Sequence, residues 1–562
     1  MAQGRAYPTG AAVRFIQLAL EQSMTKPRSV ARALLLGGLL AVACGSDTKS
    51  SATDRIGSGG TNSTTTLAQL DLSQALDVTA SEGTEWKNVL IGSASTEVFS
   101  IQVRNTTEAT LGISAVISGG DAAEFGFASA LTVQIISAGA SASVSVKYAP
   151  TSAGKKDASL QFTAWDPLDT TNRHVFAIAL VAEAKPWAYV GQRGCSVGSA
   201  GSYLAGVDPT NSSHHGRPGD RSVALATDGD MLYLAYKDGS QLSDPNDLES
   251  GKLTVARFAQ GNWSTLGNAG FSSGDAMGIS LATYQHDPYV AFSDAGAASV
   301  MMFDGQAWLP VGPKRITAGG AAYASLFVAD NQGSPDFYLS FRDEASHQEI
   351  DGTDRTGALS VMRLVGSNWS YVGPAAFSYP ESAGLATAMV VAAGVPYVAY
   401  GAGLMRYDSA AGKWTKTATF ATSSVATVTN ASGELYVAIA DSEHEAKTSV
   451  FSYVNGALLP LGDRGCSIGG SEFLSLAWNN ESLLVAFKDS GARDGIVGGA
   501  VVAEFLGGAW STLGVGTASP GPVSHSSLAT SDGQIYLGFK DEEWPALANV
   551  EGTGKASVIV KK

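Results

Sequence analysis

Histidine and carboxylate side chains concentrate in two long segments between predicted strands. They are His214, His215 and Asp220 in residues 199–221, and His347, Glu349, Asp351 and Asp354 in residues 344–357. Imidazoles and carboxylates can move protons, ligate metals or hydrogen-bond a sugar. The spacing contains no His-x-x-x-His zinc pair and no EF-hand loop. We therefore interpret these residues as ligand contacts or as solvated loop residues, and predict no cofactor; Ca²⁺ stays open without a supporting motif.

Two Gly-x-Ser-x-Gly segments are a second place where chemistry could occur. They are GCSVG at 194–198 and GCSIG at 465–469. A hydrolase nucleophile in this motif needs a strand-to-helix turn and a later His and acid, which neither context offers. At the equivalent offset other repeats place Phe271, Ile316 and Phe377. Cys195 and Cys466 are therefore predicted to pack as apolar residues, with a disulfide between them as the alternative. We predict no catalytic residue and expect that the chain is not an enzyme.

Six tryptophans and six aspartates recur at matching places in the second half of the chain. The tryptophans, most of which open a Trp-x-x-(Val/Leu)-Gly segment, are Trp187, Trp263, Trp308, Trp369, Trp414 and Trp510. The aspartates, which end segments such as LYLAYKD, are Asp238, Asp294, Asp343, Asp441, Asp489 and Asp541. Such sets could stack on sugars or ligate a metal. One fixed place in each repeat favours packing between repeats and capping of turns.

The elements that position these residues form a repeat over 185–562. Successive repeats begin 44 to 76 residues apart, and the variation lies in the loops. Units of this length with about four strands are typical of β-propeller blades. We count seven, with six or eight left open because two units are degenerate. The last unit lacks a Trp-initial strand, so the strand at Trp187 is predicted to complete it. The pattern resembles that of bacterial extracellular propellers.

Residues 67–184 alternate apolar and polar residues over short segments separated by turn residues, which predicts a β-sandwich. GGDAAEFGF at 119–127 and VKYAPTSAGKKDASLQF at 146–162 resemble the choice-of-anchor D or ASH-type immunoglobulin-like domain. Asn105 stands where that family places an Asn at a strand end. The segments themselves predict about seven strands, and the resemblance implies a spacer or protein-interaction role and no catalytic residues.

The N-terminus has the pattern of a secretory signal. Basic residues after Met24 precede an apolar segment that ends in small residues before Cys44. The cysteine resembles a bacterial lipobox, although Ala41 stands where Leu is usual. We expect a signal over 1–43 with the true start at Met24, a lipidated Cys44, and a flexible tether over 44–66. The expected location is the cell envelope, at the outer membrane or cell surface rather than the inner membrane.

Charge and composition limit the partners. The formal net charge is −15, which disfavours binding to nucleic acid. We predict an all-β chain, an immunoglobulin-like sandwich followed by a seven-bladed propeller. Its expected partners are the membrane, through the lipid, and a protein or glycan bound by propeller loops. The alternatives are a propeller enzyme acting on polysaccharide, lyase-like or hydrolase-like, and a passive structural component of the envelope.

Overall fold

The all-β fold predicted from the sequence is confirmed. A computed structural model describes residues 70–80, 84–93, 95, 98–129, 133–196, 200, 222–241, 251–345, 349–350, 353–354, 358–378, 387–480, 482–545 and 554–562. Within these ranges the only helical segments are two 3₁₀ turns, Ala122–Glu124 and Ser442–His444. The described residues include no helix that is long and apolar enough to cross a membrane.

Nine strands build the N-terminal sandwich. They are β1 (Leu76–Ala80), β2 (Glu85–Leu90), β3 (Phe99–Asn105), β4 (Leu111–Ser118), β5 (Phe125–Ser129), β6 (Gln134–Ile136), β7 (Ser141–Tyr148), β8 (Gly154–Asp166) and β9 (Asp169–Lys185). One sheet has the order β1-β3-β7-β5 and the other β2-β9-β8-β4-β6. All pairs are antiparallel except β2 with β9, which is parallel.

The sandwich core follows from the alternation in its strands. In β3 every second residue is buried, which places Phe99, Ile101 and Val103 between the sheets. The fully buried Trp86 contacts the ring of Phe99 at 4.5 Å. Asn105, at the end of β3, is also fully buried, and its amide donates to three backbone carbonyls, those of Ala109, Ile136 and Ser137. This side chain therefore fixes two turns at one end of the sandwich.

Seven four-stranded sheets follow, each of which we call a blade. Blade 1 contains β11 (Val223–Asp228), β12 (Met231–Asp238), β13 (Lys252–Ala259) and β14 (Asn262–Thr265). Blade 2 contains β15 (Ala276–Tyr284), β16 (Asp287–Asp294), β17 (Ala297–Phe303) and β18 (Trp308–Pro310). Blade 3 contains β19 (Ala321–Asn331), β20 (Ser334–Asp343), β23 (Ala358–Val365) and β24 (Asn368–Tyr371), with a small hairpin, β21 (Glu349–Ile350) and β22 (Thr353–Asp354), inserted.

The remaining blades repeat this order. Blade 4 contains β25 (Thr387–Ala392), β26 (Val395–Tyr400), β27 (Gly403–Asp408) and β28 (Lys413–Thr419). Blade 5 contains β29 (Val425–Thr429), β30 (Leu435–Asp441), β31 (Lys447–Val454) and β32 (Ala457–Pro460). Blade 6 contains β33 (Ser471–Asn479), β34 (Ser482–Arg493), β35 (Ile496–Leu506) and β36 (Ala509–Thr512). Blade 7 contains β37 (Val523–Ser531), β38 (Gln534–Pro545), β39 (Gly554–Lys561) and β10 (Trp187–Tyr189).

The ring closes as the sequence predicts. In every blade the first strand contacts the first strand of both neighbouring blades, so these seven strands line the central channel. The outer strand of blade 7 is β10, from the N-terminal end of the propeller, which pairs with β39 through Trp187 and Lys561. This pairing covers the edge that β39 would otherwise expose.

The Trp-x-x-(Val/Leu)-Gly segment joins one blade to the next. The Trp263 indole donates to the carbonyl of Val190 at 2.7 Å, and Trp308 donates to that of Leu266 at 2.8 Å. The other four tryptophans make the same bond to Leu513, Val311, Val372 and Leu461. The glycine that follows has a positive φ, and a Cβ on Gly267 would lie 3.2 Å from the Trp308 ring. The segment therefore packs each blade against the next.

The sandwich packs directly on the propeller. Leu90, at the end of β2, is 1% exposed and belongs to the apolar core that contains Trp187 and Leu484. The Ile91 backbone N–H donates to the carbonyl of Trp187 at 2.9 Å. Lys185, at the end of β9, is buried, and its ammonium donates to the carbonyl of Thr517 at 2.6 Å. Burial lowers the pKa of Lys185 to about 8.

Candidate functional site

Two faces of the propeller are defined by its strand order. The turns between the first and second strands of each blade lie on one face, with the turns between the third and fourth. The turns between the second and third strands lie on the other face, together with the connections between blades. The connections that follow β10, β12, β20 and β34 begin on this second face, because each follows an outer or a second strand. We call the face they share the insertion face.

Most of the loop residues proposed as ligand contacts lie outside the described residues. They are His214, His215, Asp220, His347 and Asp351. Glu349 and Asp354 are paired in the backbone register of the β21–β22 hairpin, which belongs to the insertion after β20. These residues therefore stay predictions, as does lipidation of Cys44, which also lies outside the described ranges.

The six blade-ending aspartates are all buried on the insertion face. None is more than 3% exposed, and each accepts hydrogen bonds from its own blade or from the preceding connection. Asp294 accepts from the Ser273 and Gly274 backbone N–H groups, and Asp489 accepts from those of Ile468 and Gly469. These contacts hold the connections between blades against the second strands, in the manner of turn caps.

Two of these aspartates form equivalent clusters with an arginine and a glutamate. Arg193 donates to Asp541 at 2.7 Å and Arg464 donates to Asp441 at 2.8 Å. Glu543 lies 3.3 Å from Arg193, and Glu443 lies 2.8 Å from Arg464. Although burial alone would raise it, hydrogen bonds from Ser449 and Arg464 hold the pKa of Asp441 below its usual value. The signal for these clusters in the sequence is the arginine shared by the two GxRGCS segments.

One acidic cluster has the composition of a metal site. It contains Asp441, Glu443 and His444, whose ligand atoms all lie within 4.8 Å of one another. The Arg464 guanidinium already lies 2.7 Å from Asp441 and 2.8 Å from Glu443. A second cation there would be repelled by this charge and would have to displace it. The donor set does not fit a metal ion.

The two cysteines fill the packing position expected from their offset. The Cys195 and Cys466 backbone N–H groups donate to Ala556 and Thr448, just as that of Phe271 donates to Leu253. Both thiols are free, so the disulfide alternative is wrong. Burial raises the pKa of Cys195 to about 12 and that of Cys466 to about 11.

Four inner strands carry the same irregularity near the insertion face. β15, β19, β33 and β37 each contain a bulge close to the start of the strand. The bulged positions have positive φ and are Gly278, Tyr323, Phe473 and His525. A positive φ is strained for a side-chain-bearing residue, and such bulges redirect side chains and are frequent beside active sites.

Acid–base pairs surround these bulges. In four blades the residue before the blade-ending aspartate is basic and contacts a nearby carboxylate. The pairs are Lys237–Asp275 at 2.9 Å, Arg342–Glu344 at 3.6 Å, Lys488–Glu472 at 3.0 Å and Lys540–Glu542 at 3.4 Å. Because the inner strands line the channel, we call the four bulged residues and these four pairs the channel mouth.

In blades 6 and 7 the side chains of the channel mouth contact one another across two neighbouring blades. The rings of Phe473 and His525 lie 4.6 Å apart, and the Lys488 ammonium lies 5.9 Å from the Phe473 centroid. His525 is 5% exposed, and its Nδ1 accepts from the Ser222 backbone N–H at 3.5 Å. The Glu472 side chain is 48% exposed. An aromatic face beside alternating donors and acceptors is suited to a polyhydroxylated ligand.

Comparison with known proteins gives similarity of fold. No protein-family model and no curated protein matches the chain. An ulvan lyase of polysaccharide lyase family PL25, solved with -[GlcA(1-4)Rha3S]- bound, is 13% identical and covers 66% of this chain and 94% of its own, with a TM-score of 0.39. An exo-1,5-alpha-L-arabinanase from a bovine ruminal metagenomic library is 11% identical and covers 50% of this chain and 91% of its own (TM-score 0.26). The ASH/PapD-like domain 7 of human CEP192 is 9% identical and covers 20% and 84% (TM-score 0.16).

The expectation that the chain is not an enzyme is wrong. It depended on the lack of a recognised catalytic motif, whereas the similar structures include a polysaccharide lyase and an arabinanase. A missing motif excludes no activity, since unrelated sites can be built on one fold. At these identities the similarity concerns the fold alone, and the chemistry of the site depends on this chain's own residues.

Proposed function

We propose that this protein binds and cleaves a polysaccharide at the channel mouth. The observation that carries the proposal is the pair of adjacent bulges in β33 and β37, which bring Phe473 and His525 into contact beside two acid–base pairs. Phe473 offers an aromatic face to a sugar ring, and the His525 imidazole, whose Nδ1 accepts from Ser222, packs against that ring and holds it in place. Glu472 offers an exposed carboxylate as base, and Lys488 offers a cation to an acidic substituent.

Two reactions fit these groups and are distinguished by their products. Elimination at a uronate removes the C5 proton and breaks the C4–O bond, which leaves a C4=C5 double bond and a free hydroxyl on the leaving sugar. Hydrolysis consumes a water molecule and leaves no double bond. The cation beside the base favours elimination, because it offsets charge that develops on the uronate carboxylate.

The test is cleavage of a panel of uronate-containing and neutral polysaccharides by the full chain. Reducing ends measure any cleavage, and ultraviolet absorbance of the unsaturated product measures elimination alone. Glu472→Gln and His525→Ala should each lower the rate by about 10²-fold or more. Glu85→Gln, which removes a carboxylate from an exposed ion pair on the sandwich, is the matched control. Cleavage that survives both channel-mouth substitutions would place the site elsewhere, and no cleavage of any substrate would remove the proposal.

We further propose that Cys44 anchors the protein in the cell envelope, with residues 44–66 as tether. The support is the order of basic, apolar and small residues before Cys44. Several acyl chains on one residue give stable membrane attachment, whereas one chain gives marginal attachment. Metabolic labelling with radioactive palmitate should mark the native chain and not Cys44→Ser. Equal labelling of the two chains would show that the lipid is elsewhere.

A further inference from the structure

Three blades carry an arginine at one equivalent place in the third strand. Arg257, Arg363 and Arg406 pair across the sheet with Tyr233, Tyr338 and Tyr397, which lie near the start of the second strand. These positions are at the opposite end of the blades from the insertion face. They are therefore separate from the channel mouth.

Blade 3 shows the arginine with an internal partner. Arg363 donates two hydrogen bonds of 2.7 Å to the Asp336 carboxylate, and its guanidinium lies 5.3 Å from the Tyr338 centroid. The hydrogen bonds to Asp336 raise the pKa of Arg363 above its usual value. This bidentate geometry is the strong form of an arginine–carboxylate contact.

Blades 1 and 4 lack that partner. Two residues before the tyrosine, where blade 3 has Asp336, blade 1 has Met231 and blade 4 has Val395. Neither the Arg257 nor the Arg406 side chain makes a hydrogen bond or ion pair with another described residue. The Nε atom of Arg257 is buried and has no acceptor among the described residues. A buried donor without an acceptor is unfavourable, and a ligand in the groove could supply the acceptor for the Nε atom of Arg257.

A cavity lies at each of these two arginines. The cavity between blades 4 and 5 has a volume of about 650 Å³ and contains Arg406, and the cavity between blades 1 and 2 has a volume of about 470 Å³ and contains Arg257. We call them the 4/5 groove and the 1/2 groove. In blade 5, Leu458 replaces the tryptophan that elsewhere donates to the preceding blade. Blade 5 therefore joins blade 4 without that indole–carbonyl bond.

The lining of the 4/5 groove indicates the class of ligand. The rings of Tyr397 and Tyr453 lie 5.4 Å apart in an edge-on arrangement. Thr417, Glu434 and Asn455 add hydroxyl, carboxylate and amide groups around Arg406. Aromatic rings with several hydrogen-bonding groups are suited to a sugar ring, and the unpaired guanidinium selects an acidic substituent.

We propose that the 4/5 and 1/2 grooves are binding sites for acidic sugar residues, in which a ligand carboxylate or sulfate takes the place that Asp336 occupies in blade 3. Both grooves lie on the face opposite the channel mouth. They would hold an acidic polysaccharide without cleaving it, and this binding does not depend on the reaction proposed above.

The test replaces the missing partner. Val395→Asp and Met231→Asp recreate in blades 4 and 1 the carboxylate of blade 3, so each should neutralise its groove arginine internally. Affinity of the full chain for a size-fractionated polygalacturonate oligosaccharide and for a sulfated oligosaccharide, measured by calorimetry, should fall by about ten- to a hundredfold in the double variant. Arg406→Met with Arg257→Met should have the same effect, whereas Arg363→Met, the matched control, should leave affinity unchanged.

Several outcomes would overturn the proposal. These are unchanged affinity in both double variants, equal affinity for a neutral oligosaccharide, or equal loss in Arg363→Met. The aspartate variants should melt no lower than the native chain, which separates loss of binding from loss of fold. Glu472→Gln should retain binding in the grooves even where it abolishes cleavage, so failure of the groove proposal and failure of the channel-mouth proposal are distinguishable. The uronate and sulfate probes show which acidic group the grooves prefer.

Discussion

The Arg193 guanidinium donates two hydrogen bonds to the Asp541 carboxylate, although the two residues are 348 positions apart in the chain. Arg193 follows the strand that opens the propeller, and Asp541 belongs to the last blade. Asp541 is 1% exposed, so its charge is almost fully removed from water. The pair therefore joins the two ends of the propeller, next to the backbone pairing of β10 with β39.

Removing this arginine should weaken ring closure. Arg193→Met leaves a buried carboxylate without its partner, which typically costs about 3–5 kcal/mol. We expect a loss of this size in the free energy of unfolding from denaturant titration. The control is Arg464→Met, which removes the equivalent arginine of blade 5. That arginine is more exposed and does not join the two ends of the propeller. A larger loss for Arg464→Met than for Arg193→Met would contradict the role in closure.

The indole contacts between blades should contribute to stability. Trp308→Phe keeps an aromatic ring but leaves the buried Leu266 carbonyl without its 2.8 Å donor. An unsatisfied buried acceptor costs about 1–3 kcal/mol. The thermal midpoint and the free energy of unfolding should both fall. Leu458→Phe is the control, because blade 5 has no indole at this position, and it should change the free energy of unfolding less. An equal loss in the two variants would mean that the size of the side chain, and not the hydrogen bond, determines the effect.

Stability should depend on pH through Lys185. Below pH 8 its ammonium is charged in both the folded and the unfolded chain, and the folded chain bears the cost of burying it. Between about 8 and its ordinary value of 10.5 the folded chain releases the proton first, so the free energy of unfolding rises with pH. The rise should be at most about 3 kcal/mol and should be missing in Lys185→Met. Identical pH profiles for the two chains would show that this ammonium is not buried in solution.

The two thiols in the propeller should be inert in the folded state. Burial raises the pKa of Cys195 to about 12 and that of Cys466 to about 11, so almost no thiolate forms near neutral pH. A Cys44→Ser chain should release no aromatic thiol from a disulfide reagent until denaturant is added, and should then release two equivalents. Rapid reaction before unfolding would show that the packing position is open to solvent.

The repeating part of the fold is accessible from the sequence because each repeat encodes its own contacts. Trp263, Gly267 and Asp294 recur at fixed offsets, and each makes in the structure a contact that its counterparts repeat. Because these residues recur once in most of the repeats, the number of blades can be predicted from the sequence. The indication for the channel mouth is weaker, since a basic residue before the final aspartate occurs in four blades only.

The candidate sites depend on contacts between distant segments, which the sequence does not state. The bulge at His525 is a change of register between two strands, and no turn residue marks it. The Arg363–Asp336 pair resembles ordinary surface charge until the sheet register brings the two together across β20 and β23. Likewise, the sequence suggests that Leu90 is another inward-facing strand residue of the sandwich. In the structure it is buried in the apolar core of the propeller.

The pairing of β10 with β39 also determines when the propeller ring can close during synthesis. The ribosome makes β10 before all the other propeller strands, and it makes β39 last. Until then blade 7 has no outer strand, and the edge of β10 stays unpaired through the production of six blades. Contacts of such long sequence separation form slowly, because a long loop must be closed before they can form. Closure of the ring therefore follows synthesis of β39, whereas the sheets of blades 1 to 6 consist of strands that are made earlier.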